Sequence, residues 1–112
     1  MNNAYEIPNL RFSLPAGEDI PRRRFVSVNS SGEGVLATTS AIGVSMNEAA
    51  AGEVLEVADG IVVVEAGGAI EAGDSISVAE DGRAVTTTDG VVVGTALTSA
   101  ASANLFITVK IR

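Results

Sequence analysis

The sequence predicts an all-β protein: a small β-barrel or sandwich (tulip-like) with an extended N-terminal arm and at most one or two short helical turns. Three observations carry this. From Phe25 onward, short runs rich in Val, Ile, Leu and Thr recur between glycine-containing corners, the regular spacing of barrels and sandwiches. Helix-period stretches are scarce. All three prolines, Pro8, Pro15 and Pro21, fall before residue 25, where they forbid helix and favour extended chain. The expected organisation is an arm over 1–24 and a compact β domain over 25–112.

Within the arm, "NLRFSL" alternates Leu10, Phe12 and Leu14 with Asn9, Arg11 and Ser13, a strand with one apolar face that needs a sheet to join. Twenty extended residues reach about 66 to 72 Å, enough to leave their own domain. Ile7, Leu10, Phe12 and Leu14 are therefore candidate contacts to another protein. Arg22, Arg23 and Arg24, at the arm's root, are candidates for anchoring it on an acidic surface, or else solvated neck residues.

The body offers nine candidate strands in order: "RFVSV", "GVLATT", "AIGVSM", "EVLEVA", "GIVVVEA", "DSISVA", "RAVTTT", "VVVGTAL" and "LFITVKI". Asp59-Gly60, Asp81-Gly82 and Asp89-Gly90 read as turn pairs, because Gly accepts positive φ and Asp bonds to nearby backbone amides. "MNEAAAG" is expected to make about one helical turn, with Asn47 as N-cap and Gly52 past its end. "IGVSMNEAAAGEVLEV" (42–57) and "VGTALTSAASANLFITV" (93–109) echo one another, which suggests one corner used twice.

Two runs, Ile61, Val62, Val63, Val64 and Val91, Val92, Val93, are β-branched without alternation, and successive strand side chains point to opposite faces. Such strands ask for burial on both sides. A subunit interface through these seven residues is one way to cover them, and a sandwich that covers both faces itself is the other.

Composition excludes most chemistry. With no Cys and no His, the chain lacks the thiolate nucleophile, sulfur-ligated zinc, the usual general base and the commonest metal ligand. The core must be built from small aliphatics, as there is no Trp, one Tyr and three Phe. Net charge is −7, and residues 25–109 carry eleven acids against Arg83 as the single base. That surface argues against nucleic-acid and membrane partners and keeps the protein soluble. "MNNAYEIPNL" lacks the pattern of a signal peptide, and no apolar run approaches the roughly 18 residues of a span, so a soluble protein made in the cytoplasm is expected.

The glycine- and acid-rich stretch "EAGGAIEAGDSISVAEDGRAV" (65–85) is a candidate for a carrier hairpin, a calcium loop or a phosphate cradle. A carrier needs a lysine at a hairpin tip, and the only lysine is Lys110 in the last strand. "AEDGRA" lacks the alternating acids of a calcium loop. "GEGVLA" precedes β-like sequence, whereas a dinucleotide site needs a helix there. No base stands ready for a Ser or Thr nucleophile. The expected reading is corners, with no catalytic, cofactor or metal residue and no enzymatic activity. An acidic ligand- or carbohydrate-binding β-sandwich is the alternative, weakened because Phe25 and Phe106 read as core residues.

From about Phe25 to Ile111, the elements "GVSMNEAAAGEVLEV", "AGGAIEAGDSISVAEDGRAVTTTDG", "VVVGTALTSAAS" and "LFITVKI" resemble, in order and spacing, the small phage head decoration or capsid cement proteins. The resemblance implies a compact β protein on the outer surface of the virion's icosahedral capsid. It would bind the major capsid protein, commonly as a homotrimer at threefold positions, and reinforce the shell without catalysis or cofactor. The arm is the least family-like part.

Overall fold

The computed structural model describes residues 4, 5 and 7–112, with residues 7–9 described by backbone alone. Among the described residues, nine strands form one curled sheet: β1 (Ile7–Pro15), β2 (Phe25–Val28), β3 (Gly34–Leu36), β4 (Gly43–Ser45), β5 (Val54–Glu65), β6 (Ser75–Val78), β7 (Ala84–Thr86), β8 (Gly94–Ala96) and β9 (Phe106–Ile111). All strand pairings are antiparallel, in the order β3-β2-β4-β5-β9-β8-β6-β7, with β1 on the remaining edge of β5. One 3-10 turn, Glu80–Gly82, is the only helical element among the described residues.

The pairings repeat. β2 pairs with β3 and β4 in the same way as β6 pairs with β7 and β8: Val26 faces Leu36 and Gly43, and Ile76, fifty positions on, faces Thr86 and Gly94. β1 meets the first half of β5 as the second half of β5 meets β9: Arg11 faces Ala58 and Pro15 faces Val54, while Ile61 faces Lys110 and Glu65 faces Phe106. Isolated bridges recur too, Ala16 to Gly34 and Ala66 to Ala84 in parallel, Ile20 to Ala49 and Ile70 to Ala100 antiparallel. The chain is thus two copies of one five-stranded unit, each curled so that its first strand touches its third. β5 is shared, closing the first unit and opening the second.

The cores follow the same duplication. Ala16, Ile20, Val26, Ala49, Leu55 and Val57 form one buried cluster, with Phe12, Leu14 and Leu36 packed against it. Their counterparts Ala66, Ile70, Ile76, Ala100, Ile107 and Val109 lie in the second cluster, which also takes in Phe25, Val44, Ala58 and Val62. Phe25 is fully buried between the units, where its counterpart Ser75 is exposed. At Gly43 and Gly94 the backbone of β5 or β9 comes so close that a Cβ would stand 2.5 Å from the carbonyl oxygen of Ala58 or Lys110. The echo between 42–57 and 93–109 is the visible part of this repeat.

Several expectations are corrected. Asp59-Gly60 is not a turn: "EVLEVA" and "GIVVVEA" are one twelve-residue strand, and the Asp59 side chain accepts a bond from the Gly60 amide inside it. Gly60 has φ 111°, a local twist where β5 passes from one unit to the next. "MNEAAAG" forms no helix, because Ala49 is held by the bridge to Ile20 and the chain reverses over Ala50 to Glu53, with Gly52 at φ 87°. Asn47 instead ties this corner to β5, accepting from the Glu56 amide and donating to the Val54 carbonyl. Residues 91–93 lie outside the strands, β8 beginning at Gly94. The arm strand "NLRFSL" is extended as expected, but it lies on β5 of its own chain, and the next buried residues, Ala16 and Ile20, belong to the first core.

Candidate docking surface

In the stretch 65–85, the carboxylates of Glu65, Asp74 and Asp81 are engaged within the chain. Asp74 accepts from the Glu71 amide at 2.9 Å and from the Thr86 hydroxyl at 2.8 Å. These bonds, the backbone one first, hold its carboxyl below the ordinary aspartate value. Arg83 donates to Glu65 at 2.7 Å and to Asp81 at 3.1 Å. Gly90 donates to the Thr87 hydroxyl, fixing the Asp89-Gly90 bend. Among the described residues, no group of three or more acids could hold a metal ion, and no helix is long and apolar enough to cross a membrane.

The three arginines at 22–24 divide between inside and outside. Arg24 is buried: it donates to the Asp81 carbonyl at 3.1 Å and lies 3.6 Å from the Glu65 carboxylate and 3.7 Å from that of Asp81. With Arg83 it forms a four-residue network that fastens the start of β2 to the β6–β7 hairpin, unit to unit. Gly82 permits this contact, since a Cβ there would stand 2.9 Å from the Phe25 carbonyl oxygen. Arg24's charge is therefore spent within the chain. Arg22 is exposed and donates to the Met46 carbonyl, and Arg23 is half-buried.

Arg22 and Arg23 line a hollow of about 390 Å³ with Ala4, Val63 and Phe106. Its floor is the outer face of β5 and β9, over which Tyr5 passes, exchanging bonds with the Thr108 hydroxyl. Phe106 is 40% exposed and Leu105 41%, so Phe106 is a surface residue, contrary to its reading as core: it stands at the first position of β9, pointing away from Ile107.

Of the arm residues, Phe12 and Leu14 are half-buried against the first core, Leu10 is 56% exposed, and the Ile7 side chain lies outside the described residues. Arg11 pairs with Glu56 across β1 and β5. The edge of β1 away from β5 carries no ladder among the described residues beyond the bridge at Ala16. Of the valine runs, Val62, Val64 and Val93 point into the chain's own core and offer nothing to a neighbour, a correction that follows from the curl of the sheet. Ile61, Val63 and Val92 are half-buried and Val91 is 53% exposed. The exposed Tyr5, Leu105 and Phe106, and the inward turn of Arg24, left no signal in local sequence.

A duplicated, acidic β-fold whose polar groups cap corners, and whose remaining apolar groups face outward at a few places, defines a structural protein built for contact. The chain belongs to the phage cement protein family, whose model matches residues 6–111. Its structure is similar to the crystal structure of the N base of head fiber gp8.5 in bacteriophage phi29, with TM-score 0.78 and 25% identity over 92% of this chain and 93% of that one. A comparison with curated proteins finds no match. The family gives the chain a structural role in association with the capsid exterior.

Proposed function

We propose that the chain cements the shell of a phage head from outside by binding the major capsid protein as a homotrimer, without catalysis or cofactor. The observation that carries this reading is the family match, which spans both units rather than one corner. Cementing requires contact area plus a feature that crosses a seam between coat subunits. The open edge of β1 supplies the second: Leu10 and the unladdered backbone beside it can take an extended segment of a neighbour as an added strand. Ile61, Val63, Val91, Val92 and the Arg22–Arg23 corner supply further contact. Three copies acting together hold more firmly than one, because each attached copy raises the effective concentration of the others.

Co-sedimentation with purified shells tests it. The intact protein is expected to pellet with shells, and Leu10→Arg is expected to weaken pelleting at least about tenfold while far-ultraviolet dichroism stays unchanged. Undiminished pelleting of the variant rejects the β1 edge, and absence of pelleting by the intact protein rejects the coat-binding role. Removal of residues 1–20 is unsuited as a test, since it takes Ala16 and Ile20 from the first core.

A further inference from the structure

We infer that the coat protein docks on the face of the first unit lined by Leu10, Phe12, Leu14 and Val28, covering it with an apolar, aromatic-bearing β element, while the far end of the second unit stays in solvent. The inference rests on the coat-binding reading above and names the face that binds.

The duplication supplies an internal standard for a covered face. In the second unit Val62 and Val64 are fully buried, and Val78 is half-buried against the same cluster. The pairings make Phe12, Leu14 and Val28 their counterparts: Phe12 faces Val57 as Val62 faces Val109, Leu14 faces Leu55 as Val64 faces Ile107, and Val28 faces Gly34 as Val78 faces Ala84. Yet Phe12 and Leu14 are only half-buried, Val28 is 43% exposed, and Leu10, further along β1, is 56% exposed. The same scaffold positions are dry in one unit and wet in the other.

The cover over the second unit comes from the first. Phe25, Ala37, Val44 and Ala58 belong to the second cluster although the first unit carries them. On β2 the faces alternate, so Val26 and Val28 look toward the first core while Phe25 looks away from it, onto the second unit. The first unit has no unit before it to do the same. In a stack of repeats, a terminal face is either made polar or covered by a partner.

The far end has taken the polar course. Ser75, Thr95 and Lys110 pair with one another as Phe25, Val44 and Ala58 do, and Thr87 donates its amide to Ser75 as Ala37 does to Phe25. Four apolar residues that cover a neighbour are thus matched by four polar ones, of which Ser75, Thr95 and Lys110 are exposed. The near face instead keeps three large aliphatics and a phenylalanine, which calls for a protein neighbour.

A second copy is a poor occupant. Its far end would set Thr95 and Lys110 on Leu10 and Val28. Its near face would bring its own acids to the same acids, since Asp59 stands opposite Leu10 in the ladder and Glu33 precedes Gly34, the partner of Val28. The shell remains, and the open edge of β1 borders this face. A coat strand added at that edge carries alternate side chains onto the same side of the sheet as Leu10, Phe12 and Leu14.

The chain has no cysteine, so single cysteines report where it is covered. Full-length Val28→Cys and Thr95→Cys are reacted with a maleimide, free and on purified shells, with the adduct read by mass on this chain and thermal melting as the check on folding. Val28→Cys is expected to react at least about tenfold more slowly on shells, because the centre of an interface excludes water, while Thr95→Cys keeps its free rate. Val28→Arg, which lies off β1 and so spares its edge, should weaken pelleting at least about tenfold by burying an unpaired charge, while Thr95→Arg pellets like wild type. Equal labelling of Val28→Cys on and off shells, wild-type pelleting of Val28→Arg, or shell protection of Thr95→Cys would each overturn the proposal while leaving coat binding intact. So would slower labelling of Val28→Cys as its own concentration rises without shells, which would give the face to a second copy. A wild type that does not pellet would overturn both.

Discussion

Arg24 shows how one side chain's meaning depends on residues remote in sequence. Its partners Glu65 and Asp81, and their companion Arg83, belong to the second unit, so nothing near "PRRR" announces burial. Truncation of Arg24 to Ala leaves Glu65 with Arg83 alone and opens space beside Phe25. It is expected to cost about 2 kcal/mol, and Arg24→Met, which refills the space, less; urea midpoints measure both. Asp74 acts on the acid side. Its folded-state pKa is lowered by the Glu71 amide and the Thr86 hydroxyl, so its contribution to stability is full above the ordinary aspartate value and is lost as pH falls through the folded one. Asp74→Asn is therefore expected to flatten the acid limb of a stability-against-pH curve while leaving its slope near neutrality unchanged.

At the scale of elements, the strands of the body were legible because β-branched runs and glycine corners are local signals. β2, β3, β6, β7 and β9 fall where the runs "RFVSV", "GVLATT", "DSISVA", "RAVTTT" and "LFITVKI" place them. What failed was local ambiguity. An Asp-Gly pair inside a long strand has the same composition as one in a hairpin, and only the pairing of Ile61 with both Ile7 and Lys110 shows that β5 runs straight on. An alanine-rich corner looks like a helical turn until Ala49 and Ala100 are seen bridged to Ile20 and Ile70. The candidate docking surface was half legible: the arginines and Leu10 were marked by sequence, while the exposure of Phe106 and the inward face of Val62, Val64 and Val93 depend on the curl of the sheet. Gly43 and Gly94 make the same close approach in both units, so Gly43→Ala and Gly94→Ala are each expected to destabilise by about 1–3 kcal/mol, read as comparable drops in urea midpoint.

For the molecule as a whole, one shared strand couples the two units. Val57 belongs to the first core, Val62 and Val64 to the second, and all three lie on β5. Neither unit can lose that strand alone. Heating is therefore expected to give a single transition whose calorimetric and van't Hoff enthalpies agree, and two resolved peaks would show that the units melt separately. A fold with this dependence suits a structural protein associated with a capsid.

The long central strand also limits how such a chain can diverge. Side chains along it alternate faces, so one amino acid inserted near Asp59 would turn inward-facing groups outward in one half or the other and strip a core. The hairpin tip around Ser31 carries no such constraint on length, whereas the tip at Asp81 is fastened to Arg24 and Arg83. Growth by insertion, including the acquisition of a new appendage, is expected at the Ser31 tip, with the shared ribbon keeping its length.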